Sequence, residues 1–254
     1  MHRKISWLVA VALIGVQLLI HADTGVAVVD SVVGDVTFSS TSGDIVRGEA
    51  IDPNGLKIQT GMNGYVSLVF SNGLALLAPP NTELEITNYS QEPFTSRSDD
   101  LVFEPSRSKL NLSLPRGQLA FAGRELSPSS ELSVEFRPGH SVDLHSKAAY
   151  IENQVGETTI APIHGRCTIE YDSQRHLVRE GYRFQTSPGE SISSDRLRKQ
   201  NPSEKEDWTQ QIDAARLSLN RWRFDSQGDD TAAEAVRVVP ALKIQETPFN
   251  NTKI

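Results

Sequence analysis

The sequence predicts an all-β protein: a short-stranded antiparallel sandwich or roll with solenoid-like character, followed by one C-terminal amphipathic helix. Three observations predict it. Apolar residues between 26 and about 185 recur with period two rather than 3.6. The runs are about five residues long and stop at Gly, Asn or Pro, with turn signals every 8–12 residues or so. After Pro188 and Gly189 the period changes to helical, and stays so to about residue 223.

The chain begins with a short basic start, Arg3 and Lys4, and an apolar run over 5–20 in which Ser6 and Gln17 are the polar side chains. Basic start, apolar middle and a small residue at Ala22 are the parts of a secretory signal peptide. The expectation is a signal peptide over 1–22 with cleavage after Ala22, and a periplasmic or secreted protein. The alternative is an uncleaved anchor in the inner membrane, although at 1.5 Å per residue the run reaches only about 24 Å of a roughly 30 Å hydrocarbon core. Without cleavage the chain would touch the membrane only through this leader.

The elements then follow in order. Leu56 and Ile58 alternate with Lys57 and Gln59 before Thr60-Gly61. Val66, Leu68 and Phe70 form the next apolar face, up to the turn Ser71-Asn72-Gly73. Leu74 and Leu76 follow and stop at Pro79-Pro80, and Leu84 and Ile86 alternate with Glu83, Glu85 and Thr87. The polar stretch 88–108 breaks the rhythm and reads as a long loop or insertion. Leu110, Leu112 and Leu114 restore it before a corner at Arg116-Gly117. Leu132, Val134 and Phe136 lead to a turn at Pro138-Gly139, then Val142 and Leu144, and Tyr182 and Phe184 close the series. Cys167 alternates with Ile169 and Tyr171 and reads as a small buried strand residue.

A capping box of Ser203 and Glu206 opens a helix over 203–223. Trp208, Ile212, Ala215, Leu219 and Trp222 step by four and three, which puts them on one face. Such a stripe either docks the helix on the β domain or, exposed, offers a handle to a partner. Trp208, Ile212, Leu219 and Trp222 are therefore the candidate partner-binding residues. Residues 225–254 are polar and read as a disordered tail.

Composition excludes several function classes. Of 254 residues 38% are hydrophobic and 22% charged, too polar for a multi-span membrane protein. A net charge of −7 argues against DNA or an anionic lipid surface as the main partner. The single cysteine rules out an internal disulfide and a cysteine-ligated cluster. Asp143 and His145 share a strand face with His140 in the preceding turn. A structural zinc needs four ligands and a catalytic one three, so a solvated face is the reading. Neither His-Glu-x-x-His nor Gly-x-Ser-x-Gly occurs. The expectation is a non-catalytic protein without cofactor or metal.

The stretch from Leu56-Lys-Ile-Gln-Thr-Gly61 through Gly64-Tyr-Val-Ser-Leu-Val-Phe-Ser-Asn-Gly73 to Ile86 resembles the FecR family of envelope proteins. There a threonine-glycine pair precedes a strand, then a polar-glycine turn, then a strand ending in proline. Val33-Gly-Asp-Val36, Leu114-Pro-Arg-Gly117, Gly165-Arg-Cys-Thr-Ile-Glu170 and Val178-Arg-Glu-Gly181 extend the resemblance over about 30–190. It implies an extracytoplasmic β domain over 26–190. The family's sigma-factor regulators carry a cytoplasmic segment before their membrane span, whereas here four residues precede the apolar run. The resemblance therefore implies a β scaffold rather than sigma-factor control. Two functions follow as expectations: an exported bacterial adaptor that binds another envelope protein through a sheet edge or the helix face, or a module that binds cell-wall glycan. A cell-surface signalling component ranks behind both.

Overall fold

The structure, a computed structural model, describes residues 25–39, 45–94, 102–171, 174–186, 197–225 and 237–240. The predicted leader, and with it any cleavage at Ala22, lies outside them. No helix among the described residues is long and apolar enough to cross a membrane.

The fold is all-β with one helix. One mixed sheet contains β1 (Ala27–Val33), β2 (Val36–Ser39), β3 (Ala50–Ile51), β4 (Leu56–Thr60), β5 (Tyr65–Phe70), β6 (Leu74–Ala78), β7 (Glu83–Gln91), β8 (Ser108–Gly123), β9 (Glu131–Arg137), β10 (His140–Gln154), β11 (Glu157–Tyr171), β12 (Gln174–Arg179), β13 (Tyr182–Thr186) and β14 (Leu197–Lys199). Pairing is antiparallel except for β8 with β9. Helix α1 (Pro202–Leu219) and a separate ribbon of β15 (Trp222–Asp225) and β16 (Arg237–Pro240) complete the chain.

Three long strands organise the sheet. The first half of β8 pairs with β7 and β9, and its second half with β6 and β10. Strand β10 likewise leaves β9 for β8, and β11 pairs with β13 at one end and β12 at the other. The changes of direction fall at Gly117 (φ 106°), at Gly165 (φ 115°) and at the register shift between Ser146 and Ala149, where glycine or a bulge bends a strand without ending it. The expected corner at Arg116-Gly117 is thus a bend inside a continuous strand. A side chain at Gly117 would lie 2.4 Å from the Thr82 backbone, so the bend demands glycine sterically as well as conformationally.

The sheet curls, without closing, around one apolar cluster that takes Leu68, Phe70, Leu76, Leu84, Ile86, Tyr89, Leu110, Phe121, Val134, Ile151, Cys167 and Phe184. The alternation read from the sequence supplies this inner face. A second cluster lies on the opposite face of β5, β6, β8, β10 and β11, beneath α1. There the residues between the inner-face positions are mostly small: Ala75, Ala120, Ala122, Ala148 and Ala161. Over these alanines the helix has room to approach the sheet, while larger side chains such as Tyr150 meet it elsewhere. The cost is a run such as Leu-Ala-Leu-Leu-Ala in β6 that is buried throughout and shows no alternation.

Several boundaries differ from the expectation. Strand β7 runs to Gln91 and β8 begins at Ser108, so 88–91 are strand and the irregular segment is shorter. Within it Glu104 is buried, accepting hydrogen bonds from the Ser127 amide (2.7 Å) and the hydroxyls of Ser108 (2.8 Å) and Ser130. The sheet also extends past residue 190 to β14. The helix is capped by Asn201, whose side chain accepts from the Ser203 amide at 3.3 Å, with Pro202 at the first position. It ends at Leu219 rather than 223. Residues 222–225, which begin within the span expected to be helix, pair as a strand with 237–240, inside the region 225–254 expected to be a polar tail; the remainder of that tail lies outside the described residues.

Candidate functional site

The helix face singled out in the sequence is spent on the protein's own sheet. Trp208 is 6% exposed and its ring stacks on Tyr150, centroids 5.2 Å apart and planes 17° from parallel. Ile212 and Ala215 are fully buried in the same cluster, and Leu219 is half-buried against it. Trp222 is half-buried too, but from β15 rather than the helix. Of the two readings of the stripe at Trp208, Ile212, Leu219 and Trp222, docking accounts for Trp208 and Ile212, whereas Leu219 and Trp222 keep part of their surface open.

A polar clasp fixes the end of that helix. Asp30 follows three buried residues in β1 and sits where β1 and β5 lose register between Val29 and Ser31, so it has no partner of its own in the ladder. Its carboxylate is buried, accepting from Trp222 Nε1 at 2.6 Å and from Arg221 at 3.0 Å. Ser67 donates to the same carboxylate at 3.3 Å, accepts from Ser218 at 2.9 Å, and lies 2.6 Å from the Ser31 hydroxyl. Arg47 Nε caps the Asp30 carbonyl at 2.6 Å. Sequence reasoning passed over Asp30. The available signal was a carboxylate directly after Ala-Val-Val, since a buried charge needs a cation or donors.

Two concavities flank these elements. The first, about 360 Å³, lies between the β5–β6 turn, the end of β8, the last turn of α1 and β15, and is lined by Arg124, Arg216 and Arg223 beside Gly73, Leu219 and Trp222. The second, about 600 Å³, is a groove at the far end of the long hairpin β10–β11, walled by Pro115, Phe136, Pro138 and Val155 and rimmed by Arg116, Glu135 and Arg137. Asn153 holds its walls together. Its buried amide reaches the carbonyls of Leu114 (2.9 Å), Pro115 (2.9 Å) and Phe136 (2.6 Å), and Thr158 donates to its oxygen at 3.0 Å. Val155, at the hairpin tip, is 98% exposed.

The remaining chemistry-bearing residues are dispersed. His140 lies against Tyr171, centroids 3.9 Å apart, with Nδ1 3.0 Å from the Pro138 carbonyl; His145 is exposed on β10, Asp143 is half-buried, and His164 faces Glu180 at 3.7 Å. Among the described residues no three of His, Cys, Asp or Glu gather as a metal site. Burial pushes the Cys167 thiol well above its usual pKa, and Tyr89 and Tyr150 likewise.

No family model matches the sequence, and no curated protein matches it. Two crystal structures are similar in fold search, both of candidate anti-sigma factors from Parabacteroides distasonis and both 10% identical. One aligns with a TM-score of 0.45 over 61% of this chain and 64% of its own, the other with 0.36 over 69% and 65%. The chain thus spans less than two thirds of the length of either.

Proposed function

We propose that this chain is an exported, non-catalytic adaptor of the bacterial cell envelope that binds another envelope protein, and that the groove at the β10–β11 tip is the contact face. One observation carries the reading: an exposed Val155 stands over a groove walled by Pro115, Phe136 and Pro138, with charged residues at its rim. An apolar centre inside a polar rim is how protein contact faces are built. The Asn153 bonds favour a preformed groove, which lowers the ordering cost of binding. The apolar run over 5–20 supports export, and the resemblance of 56–86 to the FecR envelope proteins supports the compartment. The glycan module draws less support, because Trp208 is buried on the protein's own sheet and Trp222 is half-buried with its indole N–H bound to Asp30.

The test is site-specific photo-crosslinking in the native envelope, with the crosslinker at Val155 and, as a control, at the exposed Met62 of the β4–β5 turn. A protein captured at 155 and not at 62, and lost from a Val155→Asp variant pulled down by a tag, is the expected result. Capture of wall or polysaccharide material alone would move the reading to the glycan module. Capture of a cytoplasmic sigma factor would place the chain's N-terminal region differently.

A further inference from the structure

We infer that the cleft between the β5–β6 turn and the end of α1 binds a phosphate group, through Arg124, Arg216 and Arg223. The inference is independent of the contact face at Val155. Three guanidiniums border one cleft of about 360 Å³ in a chain of net charge −7, and none of the described residues lining that cleft is acidic. Arg216 is also bonded to Asp213 at 2.6 Å. Each guanidinium carries five N–H donors in a planar fork, so bonds to the protein's own groups coexist with bonds to a ligand. That fork matches the oxygens of a phosphate, whose second charge suits a site with more than one cation.

The cleft is positioned, not incidental. Gly73 has φ +83°, and a Cβ there would lie 2.7 Å from Arg124 Cδ, so the arginine stem lies over the turn because glycine leaves room. The Arg124 amide donates to the Gly73 carbonyl at 3.1 Å, which pins the root of that side chain. Trp222, fixed through its indole to Asp30, supplies an apolar wall next to Leu219. The helix end works against an anion, because a C-terminus carries about half a negative charge. Asp213, paired with Arg216, works against it too, so the binding has to come from the directed N–H donors of the three forks rather than from surplus charge.

A free phosphate ion and a phosphate ester such as a lipid headgroup share this chemistry. The full chain, purified in mild non-ionic detergent, is titrated by calorimetry with inorganic phosphate, with glycerol 3-phosphate, and with sodium chloride at matched ionic strength. Saturable phosphate binding absent with chloride is expected, weakened about tenfold or more in Arg124→Gln and in Arg223→Gln. Tighter binding of glycerol 3-phosphate assigns the site to an ester, equal or weaker binding to the free ion. Heat that tracks ionic strength alone overturns the inference. So does wild-type affinity in both variants once circular dichroism shows them folded.

Discussion

Trp222 donates its indole N–H to Asp30 at 2.6 Å, across 192 residues of chain. The last described ribbon of the protein is tied by that bond to its first strand. Asp30→Ala removes the acceptor that Trp222, Arg221 and Ser67 share. Arg221 is half exposed and can turn to water, so the cost is about 2–3 kcal/mol rather than that of a fully buried pair. Urea unfolding should show this loss, with Trp222 fluorescence shifted to the red. Asp30→Asn, which keeps an acceptor for the indole, should lose less.

Trp208→Ala opens a cavity between α1 and the sheet and deletes the stack on Tyr150. A loss of about 3–5 kcal/mol is expected, measured by thermal or denaturant unfolding. A variant of wild-type stability would mean that the helix does not dock as described.

Ala120 lies beneath α1, in the cluster with Trp208 and Ile212. Ala120→Leu should destabilise by about 1–3 kcal/mol through overpacking. Hydrogen exchange in 202–219 should rise well before that of β4 or β7. Uniform protection in both regions would refute a helix held by close approach to small residues.

Two glycines with positive φ should respond differently to alanine. At Gly117 the new Cβ meets the Thr82 backbone at 2.4 Å, while at Gly139 nothing lies within 4 Å. Gly139→Ala should cost about 1 kcal/mol from backbone strain alone, and Gly117→Ala several times that or failure to fold. The comparison is read from the two melting temperatures.

Alkaline titration follows from the buried acids. Burial raises the pKa of Cys167, Tyr89 and Tyr150, so each binds its proton more tightly folded than unfolded. Their contribution is fully present below the unfolded pKa values of about 8.5 and 10, and is lost as pH climbs past them toward the raised folded values. Absorbance at 295 nm should show the buried phenols of Tyr89 and Tyr150 ionising only as the sheet unfolds. Cys167 should stay inert to thiol reagents until that same transition.

Much of the fold was legible because its inner face obeys a local rule. Leu56 and Ile58, Leu84 and Ile86, and Leu132 and Val134 each point inward from strands with polar partners between them. The helix boundaries were less legible. Trp222 kept the helical spacing from Leu219, yet Arg221 and Trp222 turn away to reach Asp30, and Asn201 rather than Ser203 supplies the cap. For the apolar stripe the sequence left docking and partner binding both open. Periodicity reports that a face is apolar, and cannot report whether it is covered from within or from outside.

By itself, the sequence determined the strand period, the glycine turns, the buried character of Cys167 and the apolar stripe of α1. All are properties of neighbours within a few residues. The tertiary structure decided where that stripe goes, why Ala75, Ala120 and Ala148 are small, that Arg116-Gly117 bends a strand instead of ending it, that Asp30 is buried, that Arg124 borders a cleft and that Val155 is exposed. Those follow from contacts between segments far apart in the chain. A carboxylate is buried, or three guanidiniums share a cleft, only once the curled sheet has brought their backbones together.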